Sequence, residues 1–264
     1  MTSSKVPEVR FTLSLDPQGG QARGAMKRLA RLMVIVVVLL PVGARGESGD
    51  LLGGGSLIEG EPPAGWQPLL FSGREPTQYQ FSDEQGEVMV CADARGSASG
   101  LIYRLDTDTA QYSHIAWRWK ISNTYRNARL GERSGDDFPA RIYISFAYQP
   151  ERAGFAQSIK YEGYRLVYGE YPPHSVLNYV WASAEAPGEM AQSPYADNSM
   201  MLVVRGGDAS AGQWQSELRD IAADYRRAFG AEPPPVSGIA LMSDADNTGE
   251  QASACFAQIR LLSP

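Results

Sequence analysis

Residues 140–148 read ARIYISFAY. Apolar side chains (Ile142, Ile144 and Phe146) alternate with polar ones along this run. Successive side chains of a strand point to opposite faces of a sheet. The alternation therefore predicts a strand with one face in the core, and a second face, headed by Arg141, that is available to solvent or to a ligand.

Similar short runs recur on both sides of this stretch and are separated by Gly, Pro, Asp and Asn. Together with 140–148, the predicted strands are 68–71, 77–81, 87–92, 100–105, 114–121, 163–169, 177–182, 200–205, 238–243 and 254–262. Many short strands with turn residues between them are typical of sandwiches and barrels. We therefore predict a mainly β fold, an antiparallel β-sandwich resembling a jelly roll.

The stretch 216–229 has a different period. Leu218, Ile221, Tyr225 and Phe229 recur at helical spacing, and a glycine and three prolines follow them. Glycine and proline in this order commonly end a helix. We predict one amphipathic helix over about 216–229 beside the strands.

Residues 1–44 predict an N-terminal extension followed by a cleavable signal peptide. A basic cluster precedes the apolar run LMVIVVVLL at 32–40, and small residues ending at Ala44 follow it. This order is typical of secretion signals, and the run is shorter than the ~20 residues of a spanning helix. We expect translation to start at Met26 rather than Met1, and no permanent membrane span after cleavage.

The mature chain that cleavage after Ala44 would leave is acidic, with 18 Lys+Arg, 28 Asp+Glu and a net charge of −10. Nucleic-acid binding needs a basic surface, so nucleic acid is excluded as a partner. Residues 45–65 are rich in Gly, Glu and Pro and predict a flexible linker. Residues 66–264 suit a single β-sandwich domain, which we expect to be periplasmic or secreted.

Trp117 and Trp119 alternate with Arg118 and Lys120. Tryptophan is large and usually buried, which favours core tryptophans and puts the two cations on the opposite face. In the alternative interpretation the tryptophans face outward and form a stacking platform for sugar rings.

Asp136 and Asp137 stand just before the strand that begins near Arg141. One interpretation is an acidic pair that binds a metal ion or a sugar beside a cation. The other is a turn in which the Asp side chains cap backbone amides and pair with Arg141. The full set of candidate ligand-binding residues is Arg118, Lys120, Asp136, Asp137, Arg141 and Tyr143; none is assigned a catalytic role.

Asp244, Asp246 and Thr248 place oxygen-bearing side chains at alternate positions before Gly249, as in the first half of a calcium loop. The twelfth position, where an EF-hand needs glutamate, is Cys255, so this is not an EF-hand. A looser calcium turn and a simple hairpin turn remain as alternatives. We expect no other cofactor.

Cys91 and Cys255 lie in apolar, strand-like runs, one early in the domain and one near its end. In an oxidising compartment they can form a disulfide, provided that the first and last strands pair. Two buried free thiols are the alternative, because cysteine packs well as a small apolar residue.

Several of these segments together resemble the bacterial family called domain of unknown function 3047. The resembling segments are 97–101 (SASGL), 117–120 (WRWK), 136–141 (DDFPAR), 220–225 with 229–230, and 242–249 (MSDADNTG). The resemblance implies an exported protein with a shared fold and brings no activity with it. The sequence departs from the family pattern at Cys255, where an aromatic residue is usual, and over 161–171.

Three functions stay open at this point. The first is an exported, non-catalytic sandwich that binds a glycan, another polar ligand or an envelope component. The second is an envelope hydrolase or lyase acting on a glycan, with an Asp as general acid or base and Lys120 or Arg141 stabilising developing negative charge. The third is a protein–protein interaction module that uses the helix and adjacent strands.

Overall fold

The computed structural model describes residues 48–53, 57–150 and 171–264. The predicted signal peptide and the predicted strand at 163–169 lie outside these residues. Twelve strands occur in the described part of the chain: β1 (Trp66–Leu70), β2 (Gln78–Glu84), β3 (Glu87–Arg95), β4 (Ala98–Thr107), β5 (His114–Ile121), β6 (Arg141–Phe146), β7 (Ser175–Ala182), β8 (Met190–Gln192), β9 (Ser199–Gly206), β10 (Gln215–Asp220), β11 (Val236–Asp244) and β12 (Gln251–Leu262). One α-helix, α1 (Ile221–Phe229), and a 3-10 turn, Arg133–Gly135, accompany them.

The strands form two sheets that pack face to face. The seven-stranded sheet has the order β1-β4-β11-β6-β7-β9-β8, and the five-stranded sheet has the order β10-β5-β12-β3-β2. Neighbouring strands are antiparallel except for β7 and β9, which are parallel. The prediction of a mainly β sandwich is confirmed, with this one parallel pair as a departure from a purely antiparallel arrangement.

Aromatic side chains from both sheets fill the core. Trp117 and Trp119 of β5 are almost fully buried, as their alternation with two cations predicts. The Trp117 ring stacks on Tyr179 of β7 with 5.5 Å between centroids, and Trp119 lies 5.7 Å from Trp181. The two tryptophans of β5 therefore hold the sheets together and form no outward platform.

Helix α1 begins at Ile221, five residues later than predicted. Gln215–Asp220 forms strand β10 instead and pairs with β5. Leu218, assigned from its spacing to the apolar helix face, is 54% exposed on this strand. The Asp220 carboxylate caps the helix by accepting a hydrogen bond from the Ala223 amide at 2.8 Å. No helix within the described residues is long and apolar enough to cross a membrane.

A short segment ahead of β1 lies against the end of β12. The amides of Ser48 and Leu51 donate to the carbonyls of Leu261 and Ile259, both at 2.8 Å. Leu52 is completely buried in the core. Within the linker predicted over 45–65, backbone hydrogen bonds and a buried apolar side chain thus hold residues 48–52.

Cys91 of β3 and Cys255 of β12 are opposite each other in the ladder and are joined by a disulfide. Their neighbours Val90, Ala92 and Phe256 are buried in the core. The alternation of the strands therefore puts the two sulfur atoms on the outer face of the five-stranded sheet.

The double variant Cys91→Ser with Cys255→Ser should lose about 2–5 kcal/mol of unfolding free energy, since the disulfide restricts the unfolded chain. Urea unfolding of the oxidised and the dithiothreitol-treated protein measures this loss. The reduced wild type should match the double variant, which itself should not respond to dithiothreitol. Equal stability of the wild type with and without reductant would contradict the prediction.

Candidate functional site

A buried ion pair joins the start of β6 to the end of β11. Arg141 donates from Nε to Oδ1 of Asp244 at 2.8 Å and from Nη2 to Oδ2 at 2.5 Å. Both residues are nearly inaccessible, with Arg141 only 2% exposed. The Phe138 amide also donates to Asp244 Oδ1, and the Phe138 ring lies 4.4 Å from the guanidinium carbon. A buried charge requires this degree of pairing, because desolvation of an unpaired ion is costly.

Three further carboxylates surround this pair. We use the name acidic cluster for Asp136, Asp137, Asp244 and Asp246. One carboxylate oxygen each of Asp137, Asp244 and Asp246 lie within 4.8 Å of one another. The Asp136 carboxylate is 3.7 Å from Arg141 Nη1, and Asp246 forms an ion pair with Arg74 at 2.9 Å.

Asp137 is fully buried and holds the turn after β11. Its two oxygens accept hydrogen bonds from the amides of Asn247, at 3.2 Å, and Thr248, at 2.5 Å. The Thr248 hydroxyl accepts from the Glu250 amide at 3.3 Å. The predicted calcium turn consisted of Asp244, Asp246 and Thr248. In the structure the third carboxylate or hydroxyl beside Asp244 and Asp246 is that of Asp137.

The acidic cluster has more negative than positive charge. Four carboxylates face two guanidinium groups, those of Arg74 and Arg141. Burial raises the pKa of Asp244 to about 7; Arg141 opposes this rise and the charge of Asp137 adds to it. Burial and the charge of Asp137 also raise the pKa of Asp246. Burial and the neighbouring negative charge thus oppose ionisation of both carboxyl groups.

Buried polar atoms without hydrogen-bond partners occur around the cluster. Among the described residues these atoms include Tyr125 Oη, Ser243 Oγ and Asp136 Oδ1. Burial raises the pKa of the Tyr125 hydroxyl, and the charges of Asp244 and Asp137 raise it further, whereas the neighbouring Ser243 hydroxyl lowers it. The Tyr125 hydroxyl therefore lies in the electric field of the cluster. Buried polar groups are almost always hydrogen-bonded, so each of these atoms needs an explanation.

A layer of small hydroxyl residues lies on the core side of β11. Thr77 Oγ1 donates to the Ser243 carbonyl at 2.9 Å and lies 3.2 Å from Ser97 Oγ. The Thr77 amide donates to Ser99 Oγ at 3.0 Å. Gly100 follows, where a Cβ would be 2.7 Å from the Leu241 carbonyl oxygen, so only glycine fits. This packing explains the small residues at 97–100.

The other two predicted site cations lie elsewhere. Arg118 and Lys120 are on the outer face of the five-stranded sheet, where both lie over the Trp214 ring at 5.0 and 5.2 Å. Arg118 also pairs with Glu87 at 3.0 Å. Arg141 and Tyr143 belong to the outer face of the other sheet. The candidate ligand-binding residues therefore do not share one site, because the core separates the two faces.

A cleft of about 730 Å³ opens between loops at the end of the sandwich. We call it the loop cleft. Its lining residues are Asn123, Thr124, Tyr125, Arg126, Arg129, Ser183, Ala184, Asp208, Glu250 and Gln251. None of these residues is among the candidate site residues predicted from the sequence. The signal that was available is the polar, aperiodic run SNTYRNAR at 122–129 directly after β5.

Carboxylates fix the backbone of the loop cleft. Glu250 accepts from the amides of Arg126 and Asn127 at 3.0 and 2.9 Å, one with each oxygen. Asp208 accepts from the Thr124 amide at 2.6 Å. Tyr125 connects the two regions, since it lines the cleft while its buried hydroxyl lies in the field of the acidic cluster.

The fold and the site define a β-sandwich protein with a buried acidic cluster behind a polar cleft. The chain belongs to the family described as "Protein of unknown function (DUF3047)", which matches residues 64–260. No curated protein matches the chain significantly.

Several solved structures resemble the chain over most of its length. The family 11 carbohydrate-binding module of cellulosomal cellulase Lic26A-Cel5E of Clostridium thermocellum is 13% identical, with 84% of this chain and 96% of that chain covered and a TM-score of 0.40. The xyloglucanase domain of NopAA, a type three effector from Sinorhizobium fredii, is 7% identical, with 85% and 100% covered and a TM-score of 0.43. Trichoderma harzianum Endoglucanase 3 from family GH12 is 10% identical, with 84% and 98% covered and a TM-score of 0.39.

Arg141→Ala should lower the unfolding free energy by about 3–5 kcal/mol, because it leaves the Asp244 carboxylate buried without its partner. Urea unfolding measures this loss. Arg226→Ala is the control, since the exposed Arg226–Glu232 pair is expected to contribute only about 0–1 kcal/mol. A similar small loss in both variants would show that the buried pair does not stabilise the fold.

Proposed function

We propose that this protein is exported and that its sandwich domain binds a glycan, or a similarly polar ligand, in the loop cleft without catalysing a reaction. The loop cleft is the observation that carries the proposal. Its volume of about 730 Å³ lies within the ~300–1,000 Å³ of typical small-ligand sites. It is lined mainly by polar side chains, which suits a ligand rich in oxygen atoms.

Exposed donor groups at the cleft provide the chemistry of recognition. Arg126, Arg129 and Gln251 are exposed, and Asn123 is partly exposed beside them. Guanidinium and amide groups are planar and present several hydrogen-bonding atoms. Two such atoms can engage neighbouring oxygens of a sugar, and a guanidinium can bind a carboxylate in the same forked way.

The cleft is largely preorganised. The carboxylates of Asp208 and Glu250 already hold the backbone at 124–127, so little ordering remains to be done when a ligand binds. Both Glu250 oxygens are committed to backbone amides. A general acid or base instead needs a carboxyl group within reach of the substrate proton. This use of the cleft carboxylates favours a binding protein over a hydrolase or lyase.

Export is supported by two independent features. The N-terminal residues carry the basic, apolar and small-residue order of a secretion signal. The Cys91–Cys255 disulfide suits an oxidising compartment, since cytosolic thiols are kept reduced. We therefore place the mature protein in the periplasm or outside the cell.

Arg126→Ala and Gln251→Ala should each weaken ligand binding at least tenfold and leave the melting temperature nearly unchanged, since both side chains are exposed. Binding is measured by calorimetry with a panel of soluble polysaccharides: β-glucan, xylan, alginate and polygalacturonate. Arg118→Ala, which removes the same charge from the far face of the sandwich, is the matched control. Loss of binding in Arg118→Ala but not in Arg126→Ala would refute the assignment to the loop cleft.

The same panel separates binding from catalysis. Incubation of the wild type with each polysaccharide should release no reducing ends and no unsaturated products. Turnover that disappears in an Asp208→Asn or Glu250→Gln variant, with the fold intact by circular dichroism, would favour the hydrolase or lyase.

A further inference from the structure

We propose that the acidic cluster binds a calcium ion through the carboxylates of Asp137, Asp244 and Asp246. This site is distinct from the loop cleft and does not depend on the function proposed for it. Its ligands come from the loop before β6, from the end of β11 and from the turn that follows β11. The ion would therefore join two parts of the chain that are more than a hundred residues apart, the loop at Asp137 and the stretch 244–246.

The distances suit one ion. Calcium–oxygen contacts are about 2.3–2.6 Å long, so two oxygens bound to one calcium ion are at most about 5 Å apart. The three carboxylate oxygens lie within 4.8 Å of one another. They can thus coordinate a single ion without a change of fold.

The turn after β11 has the chemistry of a calcium loop. Asp244 and Asp246 occupy alternate positions, and Gly249 takes the left-handed conformation with φ of 70°. A glycine in this conformation permits the sharp turn that such loops need. The sequence lacks the later acidic ligand of an EF-hand, and the fold brings Asp137 from the loop before β6 to that side of the turn.

A buried oxygen within the cluster that has no hydrogen bond supports a missing partner. The Asp136 carboxylate is 7% exposed and its Oδ1 has no hydrogen bond, although it lies 3.7 Å from Arg141. Such orphaned atoms commonly mark a water molecule or an ion.

The charge and the ligand type select the ion. When all four carboxyl groups are ionised, the two guanidinium groups leave two negative charges, which one divalent cation neutralises. Only oxygen ligands are present in this group, whereas zinc prefers nitrogen and sulfur. Magnesium requires strict octahedral geometry, while calcium accepts irregular sets of carboxylates.

The test uses the mature protein stripped with a chelator and titrated with CaCl2 alone. Calorimetry should show one saturable site, and calcium at about 100 times the dissociation constant should raise the melting temperature by roughly 5–10 °C. MgCl2 at the same concentration should have a much smaller effect. Because no polysaccharide is present, this experiment fails or succeeds independently of the loop cleft.

Asp246→Asn is the decisive variant, because Asp246 is the least buried of the three ligands and its loss spares the Arg141–Asp244 pair. It should reduce calcium affinity at least tenfold. Asp106→Asn, which removes one exposed carboxylate from β4, should bind calcium as the wild type does.

Three results would overturn the proposal. The first is that the wild type shows no saturable heat and no thermal shift with calcium. The second is that Asp246→Asn binds calcium as tightly as the wild type. The third is an equal response to magnesium, which would refute calcium as the ion. If Asp246→Asn did not fold, terbium luminescence of the wild type, displaced by calcium but not by magnesium, would decide.

Discussion

The Arg141 guanidinium is buried, and much of its surroundings can be understood from that constraint. Its charge is offset by Asp244, and the Asp136 carbonyl accepts a further hydrogen bond from Nη2 at 2.5 Å. A buried ion pair contributes little net stability, because desolvation cancels much of its attraction, but an unpaired charge there is not tolerated. The pair therefore fixes the register of β6 against β11 and the course of the loop before β6.

Carboxylate contacts run outward from this pair to the surface. Asp137 holds the amides of the turn after β11, and that turn leads into Glu250, which holds the amides of the loop at 126–127. Several acidic side chains are thus used to organise loops that lack regular structure. The polar cleft is the exposed end of this arrangement, and the acidic cluster is its buried end.

Alternation identified the strands whose apolar residues face the core. The residues of β5, His114–Ile121, and the inward face of β6 could be predicted because their burial follows a strict period of two. Strand β10 could not, because its pattern is inverted. Its inward residue is Glu217, bound by the Trp119 indole at 2.9 Å, and its outward residue is the exposed Leu218. Because Leu218 is apolar and lies at helical spacing from Ile221, the sequence predicted a helix that begins about one turn too early.

The site was predictable only in part, for a related reason. Asp137, Arg141 and Asp244 were visible as separate polar residues, but their meeting depends on the pairing of β6 with β11, which are almost a hundred residues apart in the chain. Arg118 and Lys120 were grouped with them by residue type, and the topology puts them on the other sheet. Cleft residues such as Arg126 lie on loops, where no periodic pattern marks a function.

The strand order also has a consequence for when the domain can assemble. β11 lies between β4 and β6 in one sheet, and β12 lies between β5 and β3 in the other. Both interior strands come from residues 236–262, which follow in sequence all the strands that they pair with. Until those residues arrive, each sheet consists of fragments with open edges, and Cys91 has no partner. Completion of the sandwich, formation of the disulfide and assembly of the acidic cluster therefore all require residues 236–262.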